Sequence, residues 1–288
     1  MRPDNEPTGT EYPPEHSIVG GYAIFPTFCR IYAEIAMTVA RLPPIPSLGN
    51  LALLLDIDGT ILDIAPTPQK VVVPDTLRST LRRLSALTNG ALAFVSGRSL
   101  GDLDRLFAPL RLPAIAGHGA EIRLVPGRER NVGRTPTLEP PLKTKFDAIA
   151  ELGPGIVVED KDYAIALHYR LAPEKEAALR EAVAAICSEE PSIEVLPGKY
   201  VLEVKKQGFS KATGVRDLMK HPPFAGRRPI FIGDDTTDET VFAIMPEFDG
   251  FAFSVGNAAR VVDGHFEGPP AVRDWLATIA GSEANAKQ

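Results

Sequence analysis

An unbroken apolar run that ends in two aspartates is the feature that most constrains how this chain can fold. Residues 51–63 read LALLLDIDGTILD, so five apolar residues lead directly into Asp56 and Asp58. A continuous apolar run of this length is typical of a strand buried on both faces, as in a parallel sheet covered by helices. The aspartates then stand at the carboxyl end of the strand, where open α/β sheets place their ligand sites.

The charges of these two aspartates require compensation. Residues two apart in an extended strand point the same way, so Asp56 and Asp58 face one space while Ile57 faces the core. Either a cation binds between the carboxylates or one of them keeps its proton. With Mg²⁺ present, Asp56 could attack phosphorus and Asp58 could donate a proton to the leaving oxygen. The alternative is a solvated turn at the end of the strand, because Asp and Gly are common turn formers.

Composition excludes several classes of protein. The chain has 288 residues, enough for two modest domains or one large one. Its net charge is −6 and it has no extended basic cluster, which argues against nucleic acid as a partner. The two cysteines form no C-x-x-C pair, so we expect a reducing, cytoplasmic environment and no disulfide scaffold. The five histidines are scattered, so no zinc-type site is visible.

The first 50 residues differ from the remainder and form a predicted N-terminal extension. The first seventeen are polar and rich in proline, which predicts disorder. Residues 18–40 are apolar, but charged residues and a proline interrupt them, and the features of a secretory signal are missing. We therefore expect no stable membrane insertion and a short accessory helix over residues 28–41 that packs on the body or on a partner. A membrane contact and a translation start placed too far upstream are the alternatives.

From residue 51 onward, apolar strands alternate with amphipathic helices. Between the strands predicted over residues 51–55, 91–95 and 114–116, one helix begins at Pro74 and another runs through Leu100. This βαβαβ order predicts a parallel sheet with helices on both faces. The same pattern resumes later, with predicted elements over residues 210–220 (helix), 229–232 and 251–255 (strands) and 270–279 (helix).

The middle of the chain, residues 119–204, has a different pattern. Short alternating strands are joined by turn sequences, and helices are predicted over residues 141–152 and 173–189. Hairpins with two helices predict a small α+β domain built on an antiparallel sheet. We therefore expect residues 119–204 to be inserted into a core domain that comprises residues 51–118 and 205–288.

One strand of the predicted insertion alternates clearly. In the strand expected over residues 163–170, two sets of side chains face opposite ways. The first set is Tyr163, Ile165, Leu167 and Tyr169, and the second is Ala164, Ala166, His168 and Arg170.

Polar groups follow three of the apolar strands and open one helix. These groups are Asp56 and Asp58, then Ser96 and Arg98, then Asp234, Asp235 and Asp238, with Lys211 at the helix start. Because the carboxyl ends of parallel strands share one edge of a sheet, these groups can converge. Ser96 and the amides after it could hold phosphate oxygens, and Lys211 could neutralise one. Singly each group could be a turn, a helix cap or a solvated lysine, but together they favour phosphoryl transfer.

The motifs in this order resemble a known family. The pattern of Asp56-x-Asp58-Gly-Thr, Ser96, Lys211 and Gly233-Asp234-Asp235 is similar to the four motifs of the haloacid dehalogenase superfamily of phosphatases. A narrower likeness, to the trehalose-6-phosphate phosphatases, covers the chain from about residue 51 to its end. It is carried by residues 95–98 (VSGR), 117–123 (GHGAEIR), 158–161 (VEDK), 168–170 (HYR), 202–204 (LEV) and 233–239 (GDDTTDE).

The resemblance implies a fold and a set of roles. The fold is α/β, a Rossmann-like parallel-sheet core with an inserted α+β cap of the C2 type. Asp56 would be the nucleophile and Asp58 the acid and base, with Lys211 as a third catalytic residue. Phosphate would contact Thr60, Ser96, Gly97 and Lys211. The cofactor Mg²⁺ would be held by Asp56, Asp58 through its backbone carbonyl, and Asp234, with Asp235 nearby.

The sugar site implied by the resemblance is polar. Neutral sugars are bound by directional hydrogen bonds, for which carboxylates, imidazoles and cationic donors are suited. The implied residues are Arg98, His118, Glu121, Glu159, Lys161, His168, Arg170 and Glu203. A charged solvent face of an antiparallel sheet is the alternative explanation for these side chains.

The chain departs from the family pattern at two places. Lys211-Ala212 stands where the family usually has Lys-Gly, and Lys205-Lys206 stands where it usually has Arg-Pro. Neither change removes a positive charge, so we expect activity, with an altered rate.

These observations predict a Mg²⁺-dependent phosphatase that hydrolyses trehalose 6-phosphate through an aspartyl-phosphate. One alternative is the same chemistry on another sugar phosphate, such as sucrose phosphate or a glycosyl phosphoglycerate. The other is a non-catalytic regulatory partner of a trehalose-phosphate synthase. The expected partner is thus a small sugar phosphate, while contact with a synthase and self-association are left open.

Overall fold

Two separate β-sheets organise the described part of the chain. The structure, a computed structural model, describes residues 48–65, 70–125, 128–130, 137–198, 200–256 and 261–285. The helix predicted over residues 28–41, and almost all of the predicted N-terminal extension, lie outside these ranges. A short 3₁₀ turn, Leu48–Asn50, leads into the first strand.

Within these ranges the two sheets contain twelve strands. In chain order they are β1 (Leu51–Leu55), β2 (Leu92–Val95), β3 (Ala114–Ala116), β4 (Glu121–Val125), β5 (Arg128–Arg130), β6 (Val157–Asp160), β7 (Ala164–His168), β8 (Ile193–Gly198), β9 (Val201–Lys206), β10 (Arg228–Gly233), β11 (Phe251–Val255) and β12 (Gly264–Phe266).

Seven α-helices accompany these strands in the same part of the chain. They are α1 (Asp75–Leu87), α2 (Leu100–Phe107), α3 (Pro140–Asp147), α4 (Glu176–Glu189), α5 (Lys211–Leu218), α6 (Thr236–Phe242) and α7 (Pro269–Asn285). Their apolar side chains repeat with helical spacing, as in α1, where Leu77, Leu81 and Leu84 are buried. None of these described helices combines the length and the apolar character that a bilayer-spanning helix needs.

The larger sheet has eight strands in the order β12-β11-β10-β1-β2-β3-β4-β5. The pairs from β12 to β3 are parallel, and β4 and β5 extend the edge by antiparallel pairing. The smaller sheet, β6-β7-β9-β8, is entirely antiparallel, and its strands lie in sequence between β5 and β10. This confirms the predicted α/β class, with a Rossmann-like core and an inserted α+β unit. We call the smaller sheet with α3 and α4 the cap, and the larger sheet with its helices the core.

The insertion is shorter at its start than the sequence predicts. The expected boundary at residue 119 places the strand at residues 121–125 in the cap, whereas β4 pairs with β3 of the core sheet, Ile115 standing opposite Ile122. Ile122 and Leu124 contribute to the hydrophobic core of the larger sheet. At the other end, β9 continues the cap sheet to Lys206, two residues beyond the predicted boundary. Both ends of the insertion are set by which strands pair with each other, and the pattern of a single strand does not reveal its partner.

The strand predicted over residues 163–170 follows the expected alternation except at its first residue, which lies outside β7. Ile165, Leu167 and Tyr169 belong to the hydrophobic core of the cap, as expected. Tyr163 instead lies in a small cluster with Ala120, Ala164 and Phe209 at the junction of core and cap. The sheet pairing of β7 begins only at Ala164, and the preceding Asp162 has a φ of 65°, so Tyr163 belongs to a turn and not to the pleat.

Each sheet packs its own hydrophobic cluster. In the core, apolar side chains of the central strands pack against α5 and α6 through residues such as Leu54, Val215 and Phe242. In the cap, Phe146 of α3 and Leu179 of α4 pack on the strand β7. Two separate clusters allow the two units to be perturbed separately.

Truncating the cap core should therefore destabilise the protein measurably. Phe146 is fully buried, and we expect Phe146→Ala to lower the free energy of unfolding by about 3–5 kcal/mol, the usual cost of such a cavity. Urea titration followed by circular dichroism measures this change. Leu152→Ala, at a site that is 39% exposed, is the control and should cost far less. A cost below about 1 kcal/mol for Phe146→Ala would contradict this packing.

Candidate active site

The end of β1 places Asp56 at the floor of a cleft. Its backbone N–H donates to the Ile232 carbonyl of β10 at 2.9 Å, and the residue is only 4% exposed. The Thr60 hydroxyl lies 3.0 Å from both Asp56 Oδ2 and Asp234 Oδ1, and so joins two strand ends. Gly59 makes this possible, because its φ is +85° and a Cβ there would lie 2.0 Å from Asp234 Oδ2.

Lys211 is the only cation in contact with Asp56 among the ion pairs of the described residues. Its Nζ lies 2.8 Å from Asp56 Oδ1 and 2.8 Å from Asp238 Oδ1. The lysine is the first residue of α5, whose start is fixed by a capping box between Ser210 and Thr213. Although burial alone would lower the pKa of Lys211, the charges of Asp238 and Asp56 raise it, so the ammonium stays protonated.

Three carboxylates converge beside this lysine. One oxygen from each of Asp56, Asp234 and Asp238 lies within 4.8 Å of the other two. Burial, followed by the charge of Asp56, raises the pKa of both Asp234 and Asp238. Crowded anionic oxygens of this kind are suited to a hard cation such as a divalent metal ion.

The two neighbouring aspartates predicted near the metal have different positions. Asp234 belongs to the carboxylate group, whereas Asp235 is exposed and caps α6 by accepting a hydrogen bond from the Thr236 backbone N–H. Asp238, which is absent from the predicted metal set, is fully buried, and its Oδ2 accepts from the backbone N–H groups of Asp234 and Asp235. The acidic residue three positions after a helix cap is the sequence signal that points to Asp238.

Asp58 follows Asp56 by two residues but forms an ion pair with a different cation, Arg98. The Arg98 side chain donates two hydrogen bonds to it, from Nε to Oδ2 at 2.5 Å and from Nη2 to Oδ1 at 2.7 Å. This bidentate pair fixes the plane of the Asp58 carboxylate. The family resemblance implies a sugar-binding role for Arg98, whereas in the structure its guanidinium is engaged by Asp58.

One face of the cap sheet presents the predicted sugar-binding side chains. Ala166 of β7 stands opposite Glu159 of β6 on one side and opposite Glu203 of β9 on the other. Residues directly opposite in a sheet share a face, so the two carboxylates flank a small residue that leaves space between them. His168, two residues further along β7, lies on the same face and contacts Glu159, 2.9 Å from its Oε2.

Glu203 of the cap contacts both the cap and the core. Its Oε2 lies 3.2 Å from Lys161 Nζ of the cap and 3.7 Å from His118 Nε2 of the core. Burial raises the pKa of Glu203, but the contact with His118 and the charge of Lys161 outweigh burial and lower the pKa to about 2. Its Oε1 is buried and has no hydrogen-bond partner among the described residues. An ionised, buried acceptor without a partner is suited to a ligand hydroxyl.

Two further predicted sugar residues have partners of other kinds. Arg170 lies over the ring of Tyr200, with its Cζ 5.9 Å from the ring centroid. Glu121 accepts a hydrogen bond from the Leu100 backbone N–H at 3.0 Å, at the start of α2. One Glu121 oxygen is therefore used to hold a helix terminus of the core.

The two departures from the family pattern are accommodated in the fold. Ala212 is buried in the core cluster beside Lys211. Lys205 is 1% exposed, donates to the Phe209 carbonyl at 2.5 Å, and pairs with Glu194. Lys205 thus fixes the end of β9 against the segment that leads to Lys211.

A cleft of about 1750 Å³ brings core and cap side chains together. Most of the predicted site residues line it. They are Asp56, Asp58, Ser96, Gly97, Arg98, His118, Glu159, Lys161, His168, Arg170, Glu203, Lys211 and Asp235. Thr60, Glu121 and Asp234 are absent from this lining, although Thr60 and Asp234 contact Asp56 and each other.

Comparison with known proteins agrees with this geometry. The sequence model of the trehalose-phosphatase family matches residues 54–265. The Escherichia coli trehalose-6-phosphate phosphatase is 37% identical over 228 residues, 79% of this chain and 86% of that protein. A probable trehalose-phosphate phosphatase of Sinorhizobium fredii is 39% identical over 236 residues, 81% of this chain and 89% of that protein.

A solved structure supports the fold independently. The C-terminal domain of C. albicans trehalose-6-phosphate phosphatase superposes with a TM-score of 0.71 at 23% identity, covering 81% of this chain and 93% of that one. A divalent metal ion is implied by the family, and the carboxylate group can accept one. The chain belongs to the trehalose-phosphatase family.

Proposed function

We propose that this protein hydrolyses trehalose 6-phosphate to trehalose and phosphate, with Mg²⁺ as cofactor. The observation that carries the proposal is the pairing of buried Lys211 with Asp56 at the floor of a cleft whose roof is the polar face of the cap. The floor provides groups for phosphoryl transfer, and the roof provides groups for hydroxyl recognition. The relatives named above support the choice of sugar phosphate.

The donor set is compatible with Mg²⁺. This ion prefers oxygen ligands and typically takes only one or two carboxylates. Both oxygens of Asp238 already accept hydrogen bonds, from Lys211 and from backbone N–H groups. Asp56 and Asp234 would therefore provide the carboxylate ligands, with the Asp58 carbonyl, while Asp235 stays at the helix cap. When bound, Mg²⁺ would neutralise charge on the phosphate and bring it close to Asp56.

The first chemical step would use Asp56 as nucleophile. Lys211 holds Asp56 Oδ1 at 2.8 Å and Thr60 holds Oδ2 at 3.0 Å, so the carboxylate is fixed before substrate arrives. Attack on phosphorus forms an aspartyl-phosphate and breaks the bond to the sugar oxygen. Ser96, Gly97, Thr60 and Lys211 would hold the phosphate oxygens.

Asp58 would move the proton in both steps. It would protonate the departing sugar oxygen in the first step, and it would take a proton from water as that water attacks the aspartyl-phosphate in the second. Its bidentate contact with Arg98 orients the carboxylate, and one of the two hydrogen bonds must open to let Asp58 reach the substrate.

The cap would select the disaccharide. Glu159, Lys161, His168 and Glu203 present donors and acceptors on one side of the cleft, as hydroxyl recognition requires. Closure of the cap onto the core would exclude water from the reacting phosphate. We propose residues 137–206 as the cap and the remainder from residue 51 as the core.

We also propose a cytoplasmic location, because the two cysteines of the sequence form no disulfide framework.

Removing the nucleophile should abolish turnover. We expect Asp56→Asn to reduce phosphate release from trehalose 6-phosphate to background, because the amide cannot form the aspartyl-phosphate, while circular dichroism shows a folded protein. Asp63→Asn changes an exposed carboxylate seven positions further on and is the matched control. Turnover near the wild-type rate in Asp56→Asn would refute the assignment.

Removing the metal should have the same effect reversibly. Dialysis against EDTA should abolish phosphate release, and Mg²⁺ should restore it better than Ca²⁺, which prefers more ligands and longer bonds. The assay is phosphate release after each addition. Full activity in EDTA would contradict the role proposed for Asp56 and Asp234.

Glu203 should contribute to the preference for the disaccharide ester over an ester without a sugar. We expect Glu203→Gln to lower kcat/KM for trehalose 6-phosphate by about 10–100-fold, because an ionised acceptor of hydroxyl hydrogen bonds is lost. Hydrolysis of p-nitrophenyl phosphate, which has no sugar, should change little. Glu174→Gln, at an exposed position of the cap, is the control. An equal loss on both esters would argue that Glu203 acts on the core and not on the sugar.

A panel of esters tests the whole proposal. Preference for trehalose 6-phosphate over glucose 6-phosphate and sucrose 6-phosphate is the expected result. Preference for another ester would keep the core chemistry and overturn the sugar assignment. Release from none of them would overturn the proposal.

A further inference from the structure

We propose that Tyr163 is a positioning residue for the phosphate-binding loop, residues 96–98. A hydroxyl from the cap would thereby set the shape of a loop in the core. The inference rests on the proposed function, in which this loop holds the phosphate. Tyr163 lies outside the predicted site and outside the motifs that carry the family resemblance.

Three successive carbonyls of the loop each accept a hydrogen bond. The Ser96 and Arg98 carbonyls accept from the backbone N–H groups of residues 118 and 117, at 3.1 and 2.8 Å. The middle carbonyl, that of Gly97, accepts from the Tyr163 hydroxyl at 3.1 Å. The core thus holds the two ends of the loop, and the cap holds its centre.

Holding this carbonyl also fixes the amide that follows it. The peptide unit between Gly97 and Arg98 is planar, so the direction of its oxygen determines the direction of its N–H. That N–H donates to Ser96 Oγ at 3.2 Å. Tyr163 therefore influences the Ser96 hydroxyl and the backbone from which the Arg98 side chain reaches Asp58.

The Tyr163 ring is rigidly placed. It is 2% exposed and packs with Ala120, Ala164 and Phe209. Its ring lies against Gly117, whose φ is +54° and where a Cβ would come within 2.7 Å of the ring. A residue larger than glycine at position 117 would displace the phenol from the loop.

The Tyr163 hydroxyl remains protonated and can donate a hydrogen bond, and the residue lies close in sequence to Lys161. Burial, followed by the charges of Glu203 and Glu121, raises the pKa of Tyr163, so the phenol keeps its proton. Tyr163 follows Lys161 by two residues, and Lys161 pairs with Glu203 on the sugar-facing side of the cap. One short segment of the cap therefore contacts both the sugar-facing side and the loop.

The test is Tyr163→Phe, which removes the hydroxyl and keeps the ring against Gly117. We expect the inhibition constant of inorganic phosphate to rise about fivefold, the effect of losing one neutral hydrogen bond. The kcat/KM for trehalose 6-phosphate and for p-nitrophenyl phosphate should fall by a similar factor, with a thermal midpoint near that of the wild type.

Tyr169→Phe is the matched control. Tyr169 is also a buried tyrosine of the cap, but its hydroxyl lies near Glu176, on the side away from the cleft. We expect its kinetics to match the wild type. An equal rise in the phosphate inhibition constant in both variants would overturn the proposal, because the loss would then reflect the cap in general.

Two further outcomes separate this proposal from the proposed function. An unchanged phosphate inhibition constant in Tyr163→Phe, or a loss confined to the disaccharide ester, would overturn the positioning role while leaving the function intact. If the wild type hydrolyses neither ester, calorimetric titration with inorganic phosphate and Mg²⁺ replaces the kinetics. Weaker phosphate binding by Tyr163→Phe would then support the role, and equal binding or none would overturn it.

Discussion

The two ion pairs of Lys211 are the interaction on which the site depends. An ammonium removed from water is costly unless it is paired, and here it lies 2.8 Å from each of two buried carboxylates. Those carboxylates come from different elements, Asp56 from the loop after the strand β1 and Asp238 from the helix α6. Their mutual repulsion is reduced by the same cation. Removing one partner of such a buried pair typically costs about 3–5 kcal/mol, so the geometry of the floor and the stability of the core are linked.

The parallel pairing of β1 with β10 makes this arrangement possible. The two strands run side by side with Leu55 opposite Ile232, so the residues that follow each strand emerge together. Thr60 then joins Asp56 to Asp234 across the gap with hydrogen bonds of 3.0 Å. The order of the strands thus brings the short side chains of Asp56, Thr60 and Asp234 together.

The cap contributes hydrogen-bonding side chains that face the cleft. Its sheet presents Glu159, His168 and Glu203 on one face, and the buried Oε1 of Glu203 has no partner among the described residues. Glu203 contacts Lys161 of the cap and His118 of the core, and Tyr163 bonds the Gly97 carbonyl. Polar contacts therefore join core and cap at His118 and at Gly97.

The sequence alone determined the α/β class, the strands at the centre of the core, and the convergence of Asp56, Ser96, Lys211 and Asp234. These follow from local patterns and from one rule, that the carboxyl ends of parallel strands share an edge.

Only the tertiary structure decided the features that depend on distant partners. Pairing with β3 placed β4 in the core, because an alternating strand carries no information about its neighbour. The phase of α6 buried Asp238 and left Asp235 exposed. Arg98 forms an ion pair with Asp58, and Tyr163, which precedes β7 in a turn, donates a hydrogen bond to the Gly97 carbonyl. The contacts of Arg98 and of Tyr163 join residues 40 or more positions apart, and the burial of Asp238 depends on the orientation of a packed helix. A linear pattern records neither.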